Sequence, residues 1–174
     1  DRLFVSPPPQ QPRRPMALPT VTVTPDPQYS AEVVVLLTTL GARRTEFHAG
    51  QRACHLLETK RVRHRVIDFN QDARLPWRAE ADDLAVGRLL ARGKLRTGFD
   101  DDLLLPQIFI DGQCVGDAAA LQGLEDDAAL DGILLRRACA KCGGTRAPQE
   151  MQCLRCWEEF EEVLPGPALP AEAV

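Results

Sequence analysis

Four of the six cysteines in this 174-residue chain stand in two pairs. The pairs are Cys139 with Cys142 and Cys153 with Cys156, two Cys-x-x-Cys turns separated by ten residues. Four thiolates at this spacing can surround one zinc ion tetrahedrally, because each turn supplies two ligands and the connector can fold back. Gly143 and Gly144 follow the first pair and suit the left-handed backbone of such a turn. Two redox dithiols, or disulfides in a secreted chain, are the alternatives; the doubled spacing favours zinc.

A zinc ion held by four cysteines has no open position for water or substrate, so we expect the site to build structure without doing chemistry. The composition excludes other functions. The formal net charge of −4 and the 5% of aromatic residues argue against nucleic-acid binding. No apolar run approaches the roughly 18 residues that a membrane span needs, and 44% hydrophobic residues are enough for a folded core.

Thiolates kept for a metal suggest a reducing, intracellular compartment. The sequence begins at Asp1 without an initiator methionine. We therefore expect a processed or truncated chain in the cytoplasm or, after removal of a targeting peptide, in an organelle such as a mitochondrion or plastid.

The sequence divides into four predicted segments. These are a proline-rich extended arm (1–30), a folded domain (31–137), the zinc module (138–158) and an acidic, proline-containing tail (159–174). Eight of the fourteen prolines lie between Pro7 and Pro27, and such a segment favours an extended polyproline conformation. In the tail region, the run of glutamates from Glu158 to Glu162 is typical of a solvated helix face.

Hydrophobic patterning predicts alternating strands and helices in the domain. The first elements are a strand buried on both faces (33–39), a helix (49–60) and a second strand (65–69). A second helix is opened by Pro76 and closed by Gly93, with Leu84, Leu89 and Leu90 near one face. A hairpin then turns at Asp111-Gly112, and Asp117 caps the helix that follows it. A parallel strand pair joined by a helix and completed by an antiparallel hairpin is the thioredoxin-like arrangement. The predicted fold class is therefore α/β, a mixed thioredoxin-like sheet followed by a small four-cysteine zinc module.

The segment L-P-Q-I-F-I-D-G from Leu105, followed by Val115-Gly116-Asp117, resembles the cis-proline signature of the glutaredoxins. T-G-F-D-D-D-L-L-L-P-Q-I-F resembles the Src-homology-binding glutamic-acid-rich-like proteins, which are thioredoxin-fold adaptors without redox cysteines. The C-terminal cysteines and T-T-L-G-A-R-R resemble the glutaredoxin-domain cysteine-rich proteins. The matches span about 33–157. The resemblance implies a cis Leu105-Pro106 bond and half of a glutathione site, formed by Leu105, Pro106, Gly116 and Asp117.

The chain departs from the glutaredoxin pattern where the reactive thiol should stand. A glutaredoxin needs a thiolate at the start of its first helix, where the helix dipole lowers the thiol pKa. Our alignment places Phe47 at the nucleophile position and Gly50 at the second cysteine position. We therefore expect that oxidoreductase activity is lost and that glutathione does not bind, since Phe47 fills its pocket.

Cys54 and Cys114 are interpreted as packed core thiols. Trp157 is expected to pack the zinc module onto the domain. The function predicted from the sequence is a redox-inactive adaptor or structural subunit, with protein partners in a multi-subunit assembly and no nucleic acid. The alternative is a glutathione-dependent oxidoreductase or glutathione-binding protein that uses Cys54 or Cys114.

Overall fold

A computed structural model describes residues 24–69, 80–99 and 102–163, with the backbone alone for 80–84. Most of the predicted arm, Pro76 and the end of the predicted tail lie outside these ranges. The strands are β1 (Val33–Leu37), β2 (Arg65–Asp68), β3 (Gln107–Ile110) and β4 (Gln113–Gly116). The helices are α1 (Arg44–Thr59), α2 (Glu80–Ala91), α3 (Ala118–Asp126) and α4 (Leu130–Leu134). No helix in the described part of the chain is long and apolar enough to cross a membrane.

The strands form one four-stranded sheet in the order β2-β1-β3-β4. β1 lies parallel to β2 and antiparallel to β3, and β4 returns antiparallel to β3. This is the mixed thioredoxin-like sheet that the sequence predicted. The Leu105-Pro106 peptide bond is cis, as the resemblance implied.

Every residue of β1 is buried, which confirms a strand covered on both faces. Val33, Val35 and Leu37 pack with apolar residues of α1, α3 and α4 on one face. Val34 and Leu36 pack on the other face, where α2 contributes Ala85 and Leu89. Burying both faces explains why β1 is a continuous β-branched and aliphatic run without polar alternation.

The first helix begins five residues before its predicted start at Ala49. Arg44, Thr45 and Glu46 carry no apolar periodicity, so the pattern misses the first turn. Gly50 lies where α1 packs closely on β1, because a Cβ there would be 3.1 Å from the Cβ of Leu37. The prediction for α2 was wrong in one respect: Leu90 is 63% exposed, whereas Leu89 is buried.

The hairpin turns at Asp111 and Gly112, as predicted. Both residues have positive φ, 45° and 73°, which is the backbone that makes Asp-Gly a favoured two-residue turn. A Cβ on Gly112 would collide with the carbonyl oxygen of Glu161, so the segment after the second cysteine pair crosses directly over the turn. Asp117 caps α3, because its carboxylate accepts hydrogen bonds from the N–H groups of Ala119 and Ala120.

Candidate metal centre

The four cysteines of the two pairs meet in one cluster. Their Sγ atoms all lie within 4.8 Å of one another, with 3.7 Å between Cys139 and Cys156 and 3.6 Å between Cys142 and Cys153. Four sulfurs about 2.3 Å from one ion at tetrahedral angles lie about 3.8 Å apart, so these distances fit a single four-coordinate ion. The cluster can therefore hold one metal ion, and no protein ligand other than sulfur is needed.

Two copies of one backbone motif, offset by 14 residues, build the cluster. In the first knuckle (137–146) the N–H of Gly143 donates to the carbonyl of Cys139, and in the second (151–160) the N–H of Trp157 donates to Cys153. The paired bridges Ala138–Thr145 and Gln152–Glu159 repeat with the same offset. Gly143 and Trp157 both have positive φ, 66° and 60°. The knuckles are thus structurally equivalent halves of one site.

The thiols of the cluster differ in how readily they ionise. Backbone N–H groups of Cys156 and Arg155 lower the pKa of the Cys153 thiol to about 6. The backbone N–H of Glu158 also lowers the pKa of Cys156, but desolvation and the neighbouring thiols outweigh it and raise that pKa to about 12. Four sulfurs at this distance cannot all become thiolates unless a positive ion neutralises them.

A side chain of the domain reaches the cluster. Gln113, the buried first residue of β4, lies with its amide nitrogen 3.5 Å from the Sγ of Cys139 and donates to it. Its amide oxygen accepts from the N–H of Ala140 at 3.0 Å. Hydrogen bonds from outside the ligand set orient metal ligands, so β4 fixes the position of the first knuckle.

A buried ion-pair network ties the module to the hairpin turn. The carboxylate of Asp111 accepts two hydrogen bonds from Arg136, at 2.7 and 3.0 Å, and one from Arg146. It also accepts from the backbone N–H of Glu32 at 3.0 Å. Asp111 and Arg146 are both buried, and two guanidinium groups hold one carboxylate there. Such a network keeps its stability only when all its members are present.

Trp157 does not pack the module onto the domain, contrary to the prediction: its side chain is 69% exposed. The buried aromatic residue of the module is Phe160 instead. The guanidinium of Arg146 lies 3.5 Å from the centre of the Phe160 ring, and these residues occupy matching positions in the two knuckles. Phe160 packs with the buried Cys139 and Cys153, whereas the side chain of Trp157 is exposed.

The glutamates at 158–162 do not form a helix face, which corrects that interpretation. The chain there is not helical, and the N–H of Glu161 donates to the carbonyl of Asp111 at 3.1 Å. Three of the glutamates form ion pairs: Glu158 with Lys141 and Lys94, Glu161 with Arg92, and Glu162 with Arg136. The stretch is therefore a docking strap across the turn, ending at the buried Val163.

The residues of the predicted half-site for glutathione meet at one end of the sheet. Ile108 pairs with Gly116, so Leu105-Pro106 before β3 and Asp117 after β4 lie at the same end. The start of α1 lies there too, because Leu36 at the end of β1 pairs with Gln107. The cap formed by Asp117 already occupies the two N–H groups of Ala119 and Ala120. Whether glutathione binds there stays a prediction.

Phe47, which our alignment placed at the nucleophile position, lies near the start of α1, and the alignment itself stays a prediction. It lies in the first turn of α1, whose N-cap is Arg43, and residues 38–46 between β1 and this turn contain no cysteine. Cys54 lies ten residues after Arg44, about 15 Å further along the helix axis.

Cys54 and Cys114 pack against opposite faces of the sheet. Burial raises the pKa of the Cys54 thiol above its ordinary value. Burial likewise raises the pKa of Cys114, and the opposing effects of the Gly116 backbone and Arg96 are smaller. Both are therefore protonated at neutral pH and too far apart in the fold to act as a dithiol, as expected for core thiols.

The sheet order, the cis-proline before β3 and the capped helix after β4 decide the architecture. The fold is glutaredoxin-like. Solved structures similar to the chain include a buckwheat glutaredoxin–glutathione complex (18% identity over 62% of this chain and 79% of that one, TM-score 0.39). Another is poplar glutaredoxin C1 in its holo form, with 17% identity over 69% of this chain and 87% of that one and a TM-score of 0.40. A third is a dithiolic glutaredoxin from Trypanosoma brucei brucei, with 20% identity over 62% of this chain and 90% of that one and a TM-score of 0.37. No protein-family model matches the sequence, and no curated protein does.

The supporting residues Gln113, Asp111, Arg136 and Arg146 were missed by the sequence interpretation. Asp111 was assigned only to the turn, and its arginine partners lie 25 and 35 residues away. The position of Arg146 between the two cysteine pairs is the one available signal. A basic residue inside a metal loop points to a carboxylate elsewhere, but it does not say which one.

Proposed function

We propose that this chain is a redox-inactive, glutaredoxin-like adaptor or structural subunit whose four cysteines hold a structural zinc ion. The observation that carries the proposal is the closed sulfur cluster joined to the domain by Gln113 and Asp111. A fully sulfur-ligated zinc offers no position for a substrate, and it fixes the shape of the surface around it. A rigid composite surface suits binding to other proteins.

Zinc is proposed over other metals on the chemistry of the ligands. Four cysteine sulfurs in tetrahedral arrangement are typical of zinc or of iron in sulfur coordination. The ion would be bound by Cys139, Cys142, Cys153 and Cys156, and its charge would stabilise all four as thiolates. The chain's own groups then do the rest: backbone N–H donors and Gln113 orient the sulfurs, and Phe160 with Arg146 covers them.

The absence of a thiol at positions 38–46 supports the redox-inactive part of the proposal. Thiol–disulfide exchange needs an accessible thiolate, and neither Cys54 nor Cys114 meets that condition. No observation favours the alternative function as an oxidoreductase over the adaptor.

Two measurements on the full-length chain test the proposal. Metal analysis of the purified protein should give one zinc per chain, lost in Cys153→Ser and kept in the matched variant Cys54→Ser. A glutathione-coupled disulfide-reduction assay should show no turnover by the wild type or by Phe47→Cys, in which the added thiol lies inside the helix. Turnover that disappears in Cys54→Ser or Cys114→Ser would instead establish the oxidoreductase.

The adaptor role itself needs the endogenous protein. Co-purification should recover a defined multi-protein assembly, and Cys153→Ser should fail to enter it while remaining expressed. A zinc-loaded chain that travels alone would contradict the adaptor role and leave the metal site intact.

A further inference from the structure

The four cysteines of the cluster differ in exposure. Cys139 and Cys153 are fully buried and pack with Phe160, whereas Cys142 and Cys156 are half-buried. Each knuckle therefore supplies one sulfur from its interior and one sulfur that solvent reaches. A small oxidant in solution meets Cys142 or Cys156 first, because reaction at a thiolate requires access to it.

Each half-buried sulfur contacts the buried sulfur of the other knuckle. Cys142 lies 3.6 Å from Cys153, and Cys156 lies 3.7 Å from Cys139, and both contacts have the geometry of a hydrogen bond between thiols. A thiol that points at a neighbouring sulfur is aligned to attack that sulfur once it is oxidised. The contacts therefore pair an accessible sulfur with a protected one, across the two knuckles.

We propose that the cluster is a site of oxidation by peroxide, whose products are two cross-knuckle disulfides, Cys142–Cys153 and Cys156–Cys139. The inference rests on the proposed structural zinc, which the cluster loses when its thiolates are consumed. It goes beyond that function because it assigns the cluster a reaction. Each chain reacts once, so the reaction is compatible with the absence of glutaredoxin turnover.

The chemistry needs only the four thiolates and hydrogen peroxide. The thiolate of Cys142 attacks one peroxide oxygen, the O–O bond breaks, and the sulfur becomes a sulfenic acid while the other oxygen leaves as hydroxide. The thiolate of Cys153 then attacks that sulfur, the S–S bond forms, and the sulfenic hydroxyl leaves as a second hydroxide. Two protons convert both hydroxides to water, so one peroxide accepts two electrons from two sulfurs. Cys156 and Cys139 react in the same way with a second peroxide.

The domain anchors both knuckles while this happens. The amide of Gln113 donates to Cys139 and accepts from the N–H of Ala140, which attaches the first knuckle to β4. The N–H of Glu161 donates to the carbonyl of Asp111, which attaches the segment after the second knuckle to the hairpin turn. Two cross-links between anchored knuckles keep the module closed after the metal leaves. Disulfides within the knuckles would leave the two halves unconnected.

Disulfide mapping on the full-length chain tests the pairing. Trypsin cleaves after Lys141, Arg146 and Arg155, which places each cysteine of the cluster on a different peptide. Zinc-loaded protein is exposed to a small excess of hydrogen peroxide, its remaining thiols are blocked with N-ethylmaleimide in denaturant, and the digest is analysed by mass spectrometry. A colorimetric zinc indicator follows the release of the metal during the oxidation.

The expected linked peptides join Cys142 to Cys153 and Cys156 to Cys139. Zinc should be released as these peptides form, up to one ion per chain. Reduction with dithiothreitol followed by added zinc should restore the original metal content, because a disulfide is reversible whereas sulfinic and sulfonic acids are not restored by a thiol.

Two controls separate the effect of the fold from the effect of sequence spacing. Cys54 and Cys114 pack on opposite faces of the sheet, so both should be recovered with N-ethylmaleimide attached. The same chain oxidised without metal in denaturant should instead form disulfides within each knuckle, because a shorter loop costs less entropy to close.

Disulfides within the knuckles of the folded chain, or the same pairs with and without denaturant, would overturn the proposal. So would a cluster that keeps its zinc and its four thiols in the presence of peroxide. Protein purified without zinc would contradict the proposed function instead, and cross-knuckle disulfides in that protein would still support the pairing.

Discussion

The amide nitrogen of Gln113 lies 3.5 Å from the sulfur of Cys139, so a residue of the sheet donates directly to the four-cysteine cluster. The two residues are 26 positions apart in the sequence and belong to different structural units. The surroundings of the candidate metal cluster are therefore not confined to the module, because they include the first residue of β4.

We predict that Gln113→Leu weakens metal binding by about 10- to 100-fold, the usual cost of losing a hydrogen-bond partner of a metal ligand. The reason is the loss of the donor to Cys139 and of the acceptor for Ala140. Competition with a chromogenic chelator measures the affinity. Gln122→Leu, at an exposed amide on α3, is the control and should leave the affinity unchanged.

Asp111→Asn should destabilise the protein by about 3 kcal/mol or more, because the buried guanidinium of Arg146 and the half-buried one of Arg136 lose their carboxylate. Asn-Gly forms the same turn as Asp-Gly, so the substitution removes the charge and leaves the hairpin's turn preference intact. Urea unfolding measures the change. Asp127→Asn, at an exposed position after α3, should fall within about 0.5 kcal/mol of the wild type; equal effects would show that Asp111 acts through the turn alone.

Gly112→Ala should detach the docking strap, since a Cβ there collides with Glu161 and φ is 73°. We expect a loss of more than about 1 kcal/mol and faster proteolysis after residue 158. Gly123→Ala in α3 is the opposite case: no atom lies within 4 Å of the new Cβ, and the helix should gain about 1 kcal/mol. If Gly112→Ala and Gly123→Ala lowered the free energy of unfolding by similar amounts, the proposed collision would be contradicted.

The contribution of Lys60 to the free energy of unfolding should decrease at alkaline pH. Its ammonium lies 2.7 Å from Glu125 and 2.8 Å from Asp131, and its side chain is 13% exposed. Burial lowers the pKa of Lys60, but hydrogen bonds to the two carboxylates raise it above its ordinary 10.5. A raised pKa means that the contribution is complete below pH 10.5 and is lost as the pH rises through the higher value of the folded state.

Unfolding free energies of the wild type and Lys60→Met should therefore differ by about 1 kcal/mol near neutral pH, and the difference should shrink above pH 10.5. Lys60→Met keeps the apolar stem, so the comparison isolates the charge. A difference that stays constant through that range would mean that Lys60 stabilises the fold by packing alone.

The sequence predicted those features that depend on local pattern. The doubled cysteine spacing predicted the cluster, and Asp111-Gly112 predicted the hairpin, because both signals lie within a few residues. The first turn of α1 was missed, since Arg44 and Thr45 carry no apolar period. The partners of Asp111 and the exposure of Trp157 depend on how distant segments meet. A single sequence does not show which distant segments come into contact.

Cutting the chain at the predicted boundary between domain and module would damage both pieces. A fragment ending at Arg137 would retain Asp111 but lose Arg146, and it would uncover the turn that Glu161 crosses. A fragment beginning at Ala138 would carry all four cysteines but lose Gln113 beneath the first of them. Measurements on either fragment alone would therefore describe a protein that lacks these contacts. Dissection of this protein should rely on point substitutions in the intact chain.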